Sequence, residues 1–320
     1  MTKFERILNA SRGLEVDAIP TGFWFHFPEE SFYGDAAVEA HLALYKEIDT
    51  DIFKIMNENK YRNSIRPTTI SDWDQWNPIK VRGSHYEDSL DTIKKVSDAI
   101  GDEVPLLFTI HGVYVSAFHG TFDSLSENYA DVNNMISTHF REKPEIFRSA
   151  FQTVGETVLE LSLEAIKAGA HGIYYAALGA EKHRFPEGLY EEYIKPVELE
   201  ILSEIQKHTD YLVLHICKDN VRMPIFKDYP SNFVNWAIYE NDFTLEQGRE
   251  LFKKSLLGGF DDRSGLLTGT DLIAIEDETK KIIDSEKGKG LILGSDCTLP
   301  TEVDLENVRM VVKTARNYRS

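Results

Sequence analysis

Cysteine is nearly absent from this chain, with two residues, Cys217 and Cys297, in a length of 320. They allow at most one disulfide, and nothing in the sequence suggests export. The opening segment from Met1 to Pro20 is polar and lacks the apolar core of a secretory signal. The expected compartment is therefore the cytoplasm, where a cysteine pair more often binds metal or takes part in catalysis than forms a disulfide. Long apolar runs are also missing, and none approaches the roughly 18 residues needed to span a bilayer. Positive charge is scarce, with 35 Lys and Arg against 53 Asp and Glu and a net charge of −18. This excludes the basic footprint of a nucleic-acid-binding protein and argues against an anionic membrane surface as partner. No low-complexity segment, linker or repeat of about 20 to 50 residues interrupts the chain.

What the chain does have is an alternation of short apolar runs and longer amphipathic stretches. The runs are Ile19–His26, Asp51–Met56, Val104–Ile110, Gly172–Ala177, Tyr211–Cys217, Phe233–Tyr239, Leu256–Phe260 and Leu291–Asp296, which makes eight candidate strands. Each is followed by a helical candidate. Eight βα units in this length give the α/β class and a single (β/α)8 TIM barrel over residues 1–320. The best helix runs from Pro144 to Ala168, where Phe147, Phe151, Val154, Val158, Leu161 and Ala165 keep one face apolar and Gly169 ends it. A second, Glu187 to Lys207, contains Pro196, which should bend or divide it. The last spans Asp304 to Tyr318 with Asp304 as N-cap. A short helix over Lys3 to Asn9 is expected to close the barrel's bottom. The connections at 57–85 and 111–143 look enlarged, and enlarged βα loops lie on the face where such barrels keep their active sites.

Both cysteines fall at the ends of apolar runs, in Leu214-His215-Ile216-Cys217 and Ser295-Asp296-Cys297. On residue type alone each reads as a small buried hydrophobe, the usual fate of a free cysteine. His215 changes the weighting, because residues two apart on a strand share a face. One imidazole and two thiolates make the protein shell of a catalytic zinc with one position left open. The fifth and eighth strands are not neighbours, so Cys297 must reach in across the barrel mouth. Asp296, Glu181 and water are all candidates for a fourth ligand.

Other polar residues cluster at the expected mouth. His26 and His111 end the first and third strands and are candidates to orient substrate or a metal ligand. The loop from Lys60 to Arg82 is locally basic and carries Trp73 and Trp76. With Arg62, Arg66 and, at the sixth strand's end, Tyr239, these residues are candidate substrate contacts for an anionic or flat ligand. The competing reading is a lid whose tryptophans only pack on the barrel rim. His41, His85, His119, His139, His171, His183 and His208 fall in helical or loop stretches, where most are expected to be solvated.

The order of these features resembles the uroporphyrinogen decarboxylase superfamily, whose members are (β/α)8 barrels. The likeness covers nearly the whole chain. It is carried by Lys143-Pro144-Glu145-Ile146-Phe147 leading to Gly169-Ala170-His171-Gly172-Ile173, by Leu189-Tyr190-Glu191-Glu192-Tyr193-Ile194-Lys195-Pro196, and by Pro300-Thr301-Glu302-Val303 followed by Glu306-Asn307-Val308. The decarboxylase branch holds its substrate with an arginine-bearing stretch after the first strand. Here that stretch reads Phe23-Trp24-Phe25-His26-Phe27-Pro28-Glu29-Glu30, and Tyr175-Ala176-Ala177-Leu178 stands where an acidic residue is expected. The other branch contains corrinoid-dependent methyltransferases, which carry zinc on His-x-Cys followed at a distance by Cys. His215, Cys217 and Cys297 match that order, with 79 residues between the cysteines. Cobalamin-independent methionine synthase, another barrel, is similar in using His, Cys and Cys for zinc.

The resemblance implies a zinc-dependent methyltransferase that moves a methyl group from a corrinoid to a small thiol. The corrinoid would arrive on a partner protein, since no cobalamin-binding segment is legible. A monomer or homodimer is expected. Two alternatives stand beside this: a metal-free decarboxylase of a porphyrinogen-like or other acidic substrate, and a barrel that binds a tetrapyrrole or corrinoid without turnover.

Overall fold

Eight strands run parallel in the order β1-β8-β7-β6-β5-β4-β3-β2 in a computed structural model that describes residues 1–121 and 129–318. They are β1 (Thr21–Gly22), β2 (Phe53–Ile55), β3 (Leu106–His111), β4 (Gly172–Ala177), β5 (Leu212–Ile216), β6 (Phe233–Trp236), β7 (Ser255–Phe260) and β8 (Leu291–Ser295). The ladder lapses only between β1 and β2. There the amides of Asp51 and Ile52 donate to the Thr21 carbonyl at 2.9 and 3.2 Å. The Asp51 carboxylate in turn accepts from the Thr21 amide and hydroxyl at 2.9 and 3.0 Å. The sheet is thus a nearly closed barrel wrapped by helices, a single-domain (β/α)8 fold.

Period-two patterning decides what fills it. Ile52, Leu107, Tyr174, Val213, Phe233, Leu257 and Ile292 form one interior cluster with Trp24. Ile7 and Ala10 complete that cluster from the N-terminal helix Lys3–Ser11, which plugs the bottom as expected. A Thr2–Glu5 capping box starts this helix. The partner residues on each strand point outward to the helices in a second, larger core. β1 is shorter than the apolar run suggested. Its neighbours on both sides are close: a Cβ on Gly22 would sit 2.7 Å from Ile52, just before β2, and one on Gly294 of β8 would sit 2.7 Å from the Gly22 carbonyl.

The helix Pro144–Ala168 has the expected bounds, with Pro144 in its first turn and Gly169 closing it at φ 121°. The Glu187 stretch is divided, as its proline requires. A π-helical turn, Tyr190–Ile194, separates Glu187–Leu189 from Lys195–Ile205, with Pro196 in the first turn of the latter. Asp304 caps the helix Leu305–Asn317 by accepting from the Glu306 amide at 2.9 Å. β6 stops at Trp236, short of Tyr239, which lies in the helical turn Ile238–Asn241.

The 57–85 connection holds a single 3-10 segment, Ile70–Gln75. The 111–143 connection contains the helices Val113–His119 and Tyr129–Glu142, and its residues 122–128 lie outside the described residues. Not all the histidines outside the strands are solvated. His41 is 2% exposed, with Nδ1 on the Ala37 carbonyl at 2.6 Å and Nε2 accepting from the Met56 amide at 3.0 Å. His119 is enclosed as well, and burial drives its pKa well below the ordinary histidine range. No helix among the described residues is long and apolar enough to cross a membrane.

Candidate metal centre

β5 sets the site. Val213 lies in the interior cluster, so the strand's period of two turns His215 inward and Cys217 after it. His215 is 2% exposed. Its Nδ1 lies 2.6 Å from Asn235 Oδ1 on β6, and the Tyr174 hydroxyl from β4 donates to the same oxygen at 2.8 Å. Asn235 has no freedom to turn over. Both protons of its amide nitrogen are directed at carbonyls, Leu257 at 2.9 Å and Ser295 at 3.1 Å. Oδ1 must therefore accept, which places the imidazole proton on Nδ1 and leaves the Nε2 lone pair free.

That lone pair faces Cys297 Sγ at 3.4 Å. β8 ends at Ser295, and the chain then hooks over the barrel rim. Asp296 N donates to Phe260 O at 2.8 Å, the Ser295 hydroxyl to Cys297 O at 2.6 Å, and Leu299 N to Trp24 O at 2.9 Å. This hook solves the distance problem between the fifth and eighth strands by carrying Cys297 inward. The Cys217 amide is tied to Ala177 O at 3.1 Å.

One ligand atom from each of His215, Cys217 and Cys297 lies within 4.8 Å of the other two. Zinc bound tetrahedrally at about 2.3 Å from sulfur and 2.0 Å from nitrogen needs donor separations of roughly 3.5 to 3.8 Å. The triad fits, with one coordination position left for water or substrate. Without metal the two thiols act as a pair. The hydrogen bond from Cys217 pushes the Cys297 pKa down, and the same bond with burial pushes Cys217 up. Of the candidates for a fourth ligand, Glu181 is committed elsewhere, in a buried ion pair with Arg184 and a bond from the Gly179 amide at 2.8 Å. Asp296 accepts from the Tyr239 amide at 3.0 Å, and burial raises its pKa to about 8.

The other expected contacts divide. His26 is exposed at the rim, with its amide on Leu299 O at 2.9 Å. Desolvation and then the charge of Lys54 lower its pKa. His111 ends β3 with its ring centroid 4.8 Å from His119, and burial lowers its pKa to about 4, so it is a neutral imidazole. Trp73 and Trp76 do not face the mouth as free aromatic surfaces. Both are buried, 4.8 Å apart and packed on Phe147 and Tyr61, with their indole protons on His139 and on the Ile65 carbonyl. Arg66 is held by Nε on Thr121 O at 2.9 Å, and Arg62 is exposed. Tyr239 is 58% exposed, but it lines an outer groove with Leu245, Arg249 and Ile282 rather than the mouth. The strand that carried its expected position ends three residues earlier.

Sequence reasoning missed Lys54. It is 2% exposed inside the barrel, with Nζ 4.3 Å from the Tyr174 ring centroid and 5.0 Å from that of Trp24. The signal was present as a lone lysine in the centre of Ile52-Phe53-Lys54-Ile55.

The sequence profile of uroporphyrinogen decarboxylase (URO-D) matches residues 55–318. The chain belongs to the uroporphyrinogen decarboxylase family. It is thereby placed in a family of enzymes. A methyltransferase from Methanosarcina mazei has the same fold, with a TM-score of 0.77 at 17% identity over 98% of both chains. A putative vitamin-B12 independent methionine synthase from Listeria monocytogenes is similar at 0.57 and 13%, over 88% of this chain and 86% of that one. A B12-independent methionine synthase from a Shewanella species gives 0.55 and 10%, over 93% and 97%. At these identities the likeness is one of fold. No curated protein matches the chain in sequence.

Proposed function

We propose that this member of the uroporphyrinogen decarboxylase family is a zinc-dependent methyltransferase acting on a small thiol. The observation that carries the reading is the convergence of His215, Cys217 and Cys297 within 4.8 Å at the barrel mouth, with the histidine tautomer already fixed for metal binding. The methyltransferase from Methanosarcina mazei, built on the same barrel, lends support. So does the absence of an arginine in the stretch after the first strand, where a decarboxylase would hold acidic groups.

His215, Cys217 and Cys297 would hold the zinc, which when bound would lower the pKa of an incoming thiol so that it is held as thiolate at neutral pH. The protein does the rest. Asn235 and Tyr174 hold the imidazole, and the β8 hook holds Cys297 in reach. His111, neutral and lacking a charge to attract an anion, suits a hydrogen-bonding role toward the acceptor, and His26 stands at the rim. In such a transfer the thiol sulfur would form the new bond to the methyl carbon as the donor's bond to that carbon breaks, the electron pair would leave with the donor, and the thiol proton would go to solvent. We assign the donor to a corrinoid on a partner protein and the acceptor to a small thiol.

The test is methyl transfer from methylcobalamin to a panel of small thiols by the zinc-loaded protein, followed by loss of the corrinoid's methyl absorbance. Transfer that Cys217→Ser abolishes supports the reading. A well-folded zinc-loaded protein that transfers methyl to no thiol removes it.

A further inference from the structure

Lys54 is a buried charge that the chemistry so far has not used. It lies in β2 two residues beyond Ile52, which packs in the barrel interior, and the strand's alternation points it the same way. An ammonium group has three protons to place. Among the described residues its one hydrogen bond is to Thr298 Oγ1 at 3.3 Å, with the faces of Tyr174 and Trp24 beside it. Among the described residues no carboxylate lies within ion-pair distance of Nζ. A buried cation with no carboxylate in contact, and only the more distant charge of Glu58 acting on it, is expensive, so a fold that keeps one has a use for it or an anion to come.

The anions to come are the thiolates. The Tyr174 ring that lies against Lys54 also stacks on His215, with centroids 5.2 Å apart. Thr298, which receives the lysine's hydrogen bond, follows Cys297, and its backbone amide faces the Cys297 sulfur. Burial lowers the Lys54 pKa to about 7, while the charges on Cys297, Glu58 and Cys217 oppose that fall. Zinc with a neutral imidazole and two thiolates carries no net charge. A third thiolate makes the centre −1, beside cysteines that are themselves half-buried.

We propose that Lys54 is a positioning residue that neutralises the charge added when the acceptor thiol binds as a thiolate beside Cys217 and Cys297. This rests on the zinc–thiol reading above and deepens it. It also predicts what the acceptor needs. Because Lys54 already balances the sulfur, the substrate's remaining atoms need bring no cation of their own.

A packing role and a charge-balancing role move stability in opposite directions. If Lys54 only packs, a neutral replacement loses its hydrogen bond and ring contacts, and the fold weakens. If it waits for an anion, the neutral replacement relieves an unpaired buried charge, and the zinc-loaded fold is as stable or more so. The experiment compares zinc-loaded wild type, Lys54→Met and Lys54→Gln. It reads zinc content, Tm, and 2-mercaptoethanol binding by calorimetry from pH 6 to 9. Both variants are expected to keep full zinc and an equal or higher Tm. Both should bind the thiol about tenfold more weakly at pH 7, with the midpoint of binding moved up by about one pH unit. Unchanged affinity and pH dependence in both variants overturns the proposal. Loss of zinc together with a lower Tm in both also overturns it, because Lys54 is then a packing residue. If wild type itself takes up zinc but no thiol, the acceptor reading fails first and this inference fails with it.

Discussion

Asn235 Oδ1 accepts the Nδ1 proton of His215 at 2.6 Å, and that one bond decides which imidazole nitrogen faces the two cysteines. The amide is locked by its own bonds to Leu257 O and Ser295 O, so its orientation comes from the barrel backbone and not from the metal. Residues that orient a ligand histidine typically contribute 10- to 100-fold to metal affinity. Asn235→Ala should therefore weaken zinc binding by about that factor while the protein stays folded. Tyr174→Phe, which leaves the His215 bond in place, should cost less than about tenfold. Competition with a chromophoric chelator measures both.

A second buried network supports the barrel wall from outside. Glu198 is fully buried in the helix Lys195–Ile205. It accepts from the Tyr175 hydroxyl at 3.0 Å, the Val113 amide at 3.1 Å, the Tyr190 hydroxyl at 2.8 Å and the Tyr229 hydroxyl at 2.9 Å. Glu198→Ala strips all four donors of their acceptor and should cost about 3 to 5 kcal/mol. Glu198→Gln keeps the volume, and hydroxyls can turn to accept from its amide, so about 1 kcal/mol is expected. Denaturant melts give the two values, and an equal loss for both would deny the network its role.

His41 makes the fold sensitive to acid. Burial lowers its pKa from 6.5 to about 4, since Nε2 already accepts the Met56 amide and a second proton there has no acceptor. Between those values the unfolded chain binds a proton that the folded chain refuses, so stability rises with pH across the window. The contribution is complete above the unfolded value and is lost as pH falls through the folded one. It amounts to roughly 3 kcal/mol. His41→Gln should flatten the fall in stability between pH 6.5 and pH 4, measured as the difference in denaturant midpoints. An unchanged slope would assign the acid sensitivity to other groups.

The Cys297 hook gives a further prediction. Ser295 Oγ holds the Cys297 carbonyl at 2.6 Å and so fixes the turn that brings the thiol to His215. Ser295→Ala should loosen zinc about tenfold without removing a ligand. Cys297→Ser, which does remove one, should abolish tight binding. Dialysis against a chelator followed by metal analysis separates the two.

Much of this was legible in the sequence where pattern and chemistry coincide. The barrel followed from eight apolar runs, and the helix Pro144–Ala168 from an unbroken apolar face with proline and glycine at its ends. His215 and Cys217 could be read as a pair because two residues on a strand share a face. What failed depended on tertiary context. Trp73 and Trp76 have the composition of a ligand platform, but each indole proton found a partner within the protein and the rings closed on Phe147 and Tyr61. Tyr239 was misplaced because β6 turns into a helix after Trp236, which directs the ring to the outer face. His41 looked solvated on a helix whose buried stripe also includes Ala37, Leu44, Tyr45 and Ile48. Lys54 was overlooked because a lysine in a strand ordinarily marks a solvent face, and here it points into the barrel.

The central claim is the metal triad, and X-ray absorption at the zinc edge of the purified, zinc-loaded protein tests it most directly. Two sulfurs at about 2.3 Å and one imidazole nitrogen at about 2.0 Å are expected around the metal, with a third sulfur appearing when a small thiol is added. A folded protein that retains no zinc, or whose zinc is surrounded by oxygen and nitrogen with no sulfur, would contradict it.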